Sequence, residues 1–176
     1  MPQRELRTKI GFVPQKGILF SGTIESNIKY GNPNISDEQM KLAANIAQAE
    51  EFIVDKEEGY ASAISQGGAN VSGGQKQRLS IARAIAINPD IFVFDDSFSA
   101  LDLKTDANLR LALEKQTKNK TVIIVAQRIS TILNAEQIIV LEEGKMVGKG
   151  THEELMKSCE AYKEIALSQL GEEELG

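Results

Sequence analysis

Apolar positions along this chain fall into two patterns. Short continuous runs stand at Ile91-Phe92-Val93-Phe94, at Thr121-Val122-Ile123-Ile124-Val125-Ala126 and at Gln137-Ile138-Ile139-Val140-Leu141. Bounded by turns and rich in β-branched and aromatic residues, they predict strands buried on both faces of a parallel sheet. Residues 10–14 predict a further strand. Helical spacing follows Ser36 through Met40, Leu42, Ala43 and Ile46, with Gln39 at the capping-box position. It recurs at Glu50 to Val54, and from Leu103 to Gln116, where Leu109, Leu111 and Leu113 are available for packing. A short helix is expected near Ser130 to Asn134, and Thr151 with Glu154 opens a terminal one. Strands alternating with helices specify an α/β chain with a parallel sheet. Asn88-Pro89-Asp90 reads as a turn, Gly59 to Asn70 as a loop, Glu143-Gly144-Lys145 as a turn into a short strand, and the acidic stretch from Gly171 as a frayed tail.

Within this pattern Ser72-Gly73-Gly74-Gln75 stands out, because it opens the helical run Lys76 to Ala84 in a way suited to an anion. Ser72 caps, Gln75 completes the capping box, and two glycines bare the first-turn N–H groups at the positive end of the helix dipole. The plain alternative is an ordinary capped helix. Glycine there costs up to about 1 kcal/mol against alanine, so a purely structural cap would not favour two of them. The strand 91–94 ends in Asp95-Asp96, where open α/β sheets bind ligands. A solvated strand end is the plain reading of that pair.

Composition narrows the classes. The 176 residues suffice for one core, and the net charge of −5 argues against a nucleic-acid footprint. No apolar run approaches the ~20 residues that span a bilayer, and no signal peptide is expected. The single cysteine, Cys159, suits a reducing compartment and a packing role. The single histidine, His152, is expected to be an exposed first-turn residue and no ligand.

Val71 to Gln75 matches the signature LSGGQ with valine for leucine, Ile91 to Asp95 a Walker B strand, and Ser99 to Asp102 a SALD D-loop. Val13-Pro14-Gln15, Leu19-Phe20 and Thr23 to Ile28 are similar to a Q-loop segment of the exporter type. In order and spacing the chain resembles the C-terminal part of the nucleotide-binding domain of an ATP-binding-cassette (ABC) transporter. The resemblance implies an incomplete RecA-like (P-loop NTPase) core over residues 1–34 and 84–158, an inserted α-helical signature subdomain over 35–83, and a terminal helix and tail over 159–176. No Walker A sequence GxxxxGK[ST] occurs, so the chain alone is expected to bind ATP and Mg²⁺ weakly or not at all. It reads as a truncated product, an incomplete sequence or a fragment, with an exposed sheet edge and apolar surface that favour aggregation.

In that family two domains pair head to tail. By the match, Ser72, Gly73, Gly74 and Gln75 face the γ-phosphate held by the partner domain, and Asp102 contacts that partner. Asp95 holds the magnesium hydration shell, Gln15 senses the metal or γ-phosphate, and Asp96 and Gln127 occupy the catalytic positions. Asp96 stands where the family has glutamate, and Gln127 where it has the switch histidine. Ser65-Gln66-Gly67-Gly68 replaces a charged GERG-like segment that touches the coupling helices of the membrane domain. These departures imply the degenerate site of a heterodimeric exporter subunit at the cytoplasmic face of the plasma (inner) membrane. Sporadic drift in a working homodimer, a DNA-repair or chromosome-type ATPase head, and a non-catalytic module that only binds partner domains are the alternatives. The absence of sustained heptads in residues 16–71 argues against the ATPase head.

Overall fold

The structure is a computed structural model that describes residues 2–169, so the acidic stretch from Gly171 lies outside the described residues. The elements, in order, are α1 (Gln3–Thr8), β1 (Ile10–Val13), β2 (Gly22–Thr23), α2 (Ile24–Ile28), α3 (Asp37–Ile46), α4 (Glu50–Val54), β3 (Ala63–Ile64), α5 (Gly73–Ala86), β4 (Ile91–Asp95), α6 (Leu103–Thr117), β5 (Thr121–Val125), β6 (Ile138–Glu142), β7 (Lys145–Gly150), α7 (His152–Ser158) and α8 (Glu160–Gln169). Side chains set the helix starts. Ser36, Ser72 and Thr151 each accept from the N–H three residues on, while Gln39, Gln75 and Glu154 reach back to the cap's own N–H. Thr23 and Ser26 form the same box ahead of α2. The chain divides into two compact units, Met1–Val125 and Ala126–Gly176.

In the first unit a three-stranded parallel sheet runs in the order β1-β4-β5. Val13 lies opposite Phe94 and Asp95 opposite Val125, so Pro14-Gln15 and Asp95-Asp96 emerge at the same end of the sheet. α5 packs on β1, α2 and α3. Small residues permit this: Ser80, Ala82, Ala84 and Ala86 are buried along α5 beside Leu79 and Ile81. At Gly11 a Cβ would meet Pro89 Cγ at 2.7 Å and the Ala84 carbonyl at 3.0 Å, so β1 lies directly against the helix and its connection. Phe92 and Phe94 stack at 5.9 Å, and Phe98 meets Phe94 at 5.1 Å.

Only one face of this sheet is buried. Phe92 and Phe94 are inside, but Phe12, Ile123 and Val125 are 55%, 50% and 51% exposed. The expectation of strands buried on both faces is therefore corrected: among the described residues no element seals the second face. Leu111, expected to pack, is 60% exposed, because only Leu109 and Leu113 face inward from α6.

In the second unit β6 and β7 form a two-stranded antiparallel hairpin. Glu143 and Gly144 both take positive φ, 48° and 75°, the conformation of a tight two-residue hairpin turn. The run Gln137 to Leu141 is thus a hairpin strand and no member of the parallel sheet. Ile138 and Val140 are buried and Ile139 and Leu141 exposed, as one-sided burial requires. The expected helix near Ser130 to Asn134 is a single 3₁₀ turn, Ile129–Thr131. Cys159, buried where α7 gives way to α8, packs in a cluster with Leu155, Tyr162 and Ala166. His152 does open α7, yet it is half-buried, and its Nδ1 lies 2.8 Å from the Tyr162 hydroxyl. The expected exposure is corrected: a buried phenol needs a partner, and the imidazole supplies it. Among the described residues no helix is long and apolar enough to cross a membrane.

Candidate functional site

Two clusters in the first unit hold the residues singled out in the sequence. The first is the start of α5. Ser72 Oγ accepts from the Gln75 N–H at 3.2 Å, and Gln75 Oε1 accepts from the Ser72 N–H at 3.0 Å. The box serves the N–H groups of Ser72 and Gln75. Among the described residues no acceptor reaches those of Gly73 and Gly74, which point out of the helix end. A Cβ on Gly73 would find no atom within 4 Å beyond its own turn, and one on Gly74 only the Ala100 carbonyl at 3.6 Å. Neither glycine is demanded by packing, and neither has positive φ. What they leave is a bare pair of donors at the positive end of a 14-residue helix, a fit for a phosphate.

The Ala100 contact places the Ser99 to Asp102 loop beside this helix start. Asp102 caps α6, accepting from the Thr105 N–H at 2.9 Å and the Thr105 hydroxyl at 2.7 Å. These two bonds hold its carboxyl below the usual aspartate range, with a smaller attraction from Arg78 in the same direction. A depressed carboxyl contributes stability that is present above the unfolded-state value, about 3.9, and lost as pH falls through the folded one. Acidification through and below about pH 4 should therefore loosen the start of α6. Asp102→Asn, which still caps, should flatten that part of the stability–pH curve in denaturation measured at successive pH values. A slope unchanged by the substitution would exclude Asp102 as its source.

The second cluster lies at the sheet end. Gln15 Nε2 donates to Asp96 Oδ2 at 3.1 Å, joining residues 81 positions apart. Asp96 takes positive φ, 43°, an uncommon conformation outside glycine that aspartate tolerates better than most. Its N–H continues the sheet ladder to the Val125 carbonyl at 2.8 Å, and its own carbonyl accepts from Ser99 Oγ at 2.9 Å. Strain of this kind concentrates where a side chain must be aimed. Asp95 closes β4 beside it, half-buried. Among the described residues no group of three or more His, Cys, Asp or Glu converges as a ready metal cage. Magnesium is commonly held by one or two carboxylates together with substrate phosphates, and the adjacent Asp95 and Asp96 fit that donor set.

The remaining predicted residue, Gln127, belongs to the second unit, where its carbonyl accepts from Gln169 Nε2 at 2.9 Å. Three residues of the first unit were missed. Arg78 donates to the Gln48 carbonyl at 2.8 Å and lies 4.8 Å over the Phe52 ring. Arg83 and Gln77 also turn inward to bind backbone carbonyls. The only signal was polar residues interleaved with a nearly all-buried helix.

A family model described as ABC transporter matches residues 1–99. An uncharacterised ABC transporter ATP-binding protein of Bacillus subtilis (strain 168), YfiB, is 47% identical over 173 residues, covering 98% of this chain and 30% of that protein. A Staphylococcus aureus (strain NCTC 8325) protein, named as a candidate multidrug export ATP-binding/permease protein, is 44% identical over 91% of this chain and 28% of its own. Among solved structures, that of a bacterial Atm1-family ABC exporter with ATP bound superposes with a TM-score of 0.93 at 35% identity, covering 98% of this chain and 30% of that one. The chain thus spans about 30% of the length of the proteins it matches.

Proposed function

Since the chain belongs to the ABC transporter family, we propose that it contributes a nucleotide-binding domain to an exporter, pairing head to tail with a second such domain. The observation that carries this reading is the helix start at Ser72, with its two N–H groups free and its space open. There the Gly73 and Gly74 amides bind the γ-phosphate of ATP held by the partner domain, the Ser72–Gln75 box fixes their direction, and Asp102 meets the partner. Residues 35–83 act as the inserted helical subdomain, and the segment around Ser65 to Gly68 contacts the coupling helices of a transmembrane domain.

Asp95, Asp96 and Gln15 serve the protein's own nucleotide, and Gln127 keeps the switch position that the family match gives it. Asp95 is the residue that would hold magnesium, which supplies charge neutralisation at the β- and γ-phosphates when bound. Asp96 orients the attacking water in this reading, supported by the Gln15 bond that holds its carboxylate. Both catalytic positions carry shortened or uncharged groups, so this site binds ATP and turns it over slowly, while the signature helix serves an active site on the partner. Phosphoryl transfer depends on positioning and electrostatics, so one missing methylene at Asp96 and a missing imidazole at position 127 cost rate directly. The working place is the cytoplasmic face of the plasma (inner) membrane, and the direction of transport is outward.

ATP turnover of the complete, assembled protein tests the asymmetry. Asp96→Glu combined with Gln127→His should raise turnover at this site by roughly 100-fold, the lower end of what general acid–base groups contribute, and total turnover by up to about two-fold, because the partner's site is already active. A high parental rate that the pair leaves unchanged, and that Asp96→Ala abolishes, would show Asp96 already serving as the catalytic carboxylate in a two-site enzyme.

A further inference from the structure

The loop that carries Gln15 is held at its root by side chains from two other elements. Ser97 is fully buried, and its hydroxyl donates to the Val13 carbonyl at 2.8 Å, with the Asp95 carbonyl a weaker second acceptor at 3.3 Å. Gln77 is 1% exposed, and its Nε2 donates to the very next carbonyl, that of Pro14, at 3.1 Å. Two residues past Gln15 the loop touches α5 again. A Cβ on Gly17 would lie 2.7 Å from the Lys76 carbonyl carbon and oxygen and 2.9 Å from the Gln77 nitrogen, so backbone lies on backbone at the turn of the helix that bears Gln77.

Gln77 has no local reason to be polar. Its helix is buried along most of its length by Leu79, Ile81 and small residues, and an apolar side chain would extend that pattern. A buried amide is costly unless its donors are used, and the donor is used on Pro14. That carbonyl, at the end of β1, in turn needs a partner once the strand ladder has stopped. Five residues separate Gln77 from the Ser72 cap, about 7.5 Å along one continuous helix.

We infer that Gln77 is a positioning residue that ties the Gln15 loop to the signature helix, so that Gln15 and the Gly73–Gly74 amides are held at a fixed separation. This rests on the reading given above, in which those two groups serve different nucleotides of the assembled pair. A displacement of the signature helix is then transmitted to Gln15, and through the 3.1 Å bond to Asp96, by one hydrogen bond and the Gly17 contact. Ser97 performs the complementary task from the acidic strand end, keeping the root of the loop against β4 while Gln77 keeps it against α5.

The test compares parent, Gln77→Met and Gln77→Glu in the complete, assembled protein. Methionine keeps the unbranched length without a donor, and glutamate keeps the shape but presents a carboxylate to the Pro14 carbonyl. Hydrogen–deuterium exchange without nucleotide should show amides 15–19 exchanging about five- to ten-fold faster in both variants, as expected for one lost hydrogen bond, with amides 79–86 unchanged. With ATP, the slow turnover at this chain's own site, read after the partner's site is inactivated, should fall about five- to ten-fold while KM stays within about two-fold, the pattern of a group acting only on the catalytic arrangement. Native melting with parental loop exchange in both variants would overturn the inference and leave Gln77 as packing. The two failures are separable: a parent protein that neither binds nor hydrolyses ATP overturns the function on which this rests, whereas normal parental turnover with unaltered loop exchange overturns the tie alone.

Discussion

Gly73→Ala and Gly74→Ala should each leave the fold as stable as before, or up to about 1 kcal/mol more stable, while lowering ATP turnover of the assembled protein on the order of 100-fold. The stability half follows from the open surroundings. A methyl at position 73 meets nothing within 4 Å, at position 74 it makes an ordinary contact of 3.6 Å, and neither residue needs a left-handed backbone. Alanine should therefore gain its helix propensity without a clash. The activity half follows from direction: Cβ bonds tilt toward the helix N-terminus, into the space that an approaching phosphate must enter. Removing a preorganised donor from a developing charge costs about 10²–10³ in rate, and a methyl that holds the phosphate away has the same consequence. Thermal melting and steady-state turnover on the same samples decide the matter. Turnover within about three-fold of the parent would mean that nothing binds at this helix start, whereas a parallel loss of stability would return the glycines to a structural role.

What the sequence made legible was local. Each capping box needs only a pair three residues apart, and those at Ser36, Ser72 and Thr151 appear as expected. The acidic pair after β4 was readable for the same reason, since a strand and its terminus are contiguous. Partner choice was not readable. The runs 121–125 and 138–142 look alike, yet one joins a parallel sheet and the other folds back on β7, a difference decided by the two positive-φ residues Glu143 and Gly144. The left-handed backbone of Asp96 was likewise not readable, because its N–H pairs with the Val125 carbonyl of another strand, while the bond from Ser99 to its carbonyl is local. Gln77 and Arg83 were obscure because their acceptors lie 63 and 56 positions away. In the sequence both are simply polar positions inside the run Lys76 to Ala84, with nothing nearby to name their acceptors.

Arg83→Ala should destabilise the first unit by about 3 kcal/mol or more, measured by denaturant unfolding. The guanidinium gives Nε to the Asn27 carbonyl at 2.7 Å, Nη1 to the Ile18 carbonyl at 2.9 Å and Nη2 to Asn27 Oδ1 at 2.9 Å. It also lies 5.1 Å over Phe20 and 5.6 Å over Tyr30, which stack on each other at 4.2 Å. Burial pushes its pKa down from the usual arginine range, but arginine starts so high that the charge persists at neutral pH. Asn27, itself 1% exposed, binds both the N–H and the carbonyl of Phe20, so Arg83 and Asn27 together hold the irregular segment 18–30 against α5. Truncation leaves the Asn27 and Ile18 carbonyls without this donor and removes the plane on which two aromatic rings rest. Lysine should recover little, because a point charge cannot reproduce a planar fork that reaches two separate backbone carbonyls. The loss should begin in segment 18–30, with its amides exchanging faster before those of α5. Uniform loosening of both, or a change below about 1 kcal/mol, would show that the segment is held by its apolar contacts at Leu19, Ile24 and Ile28 instead.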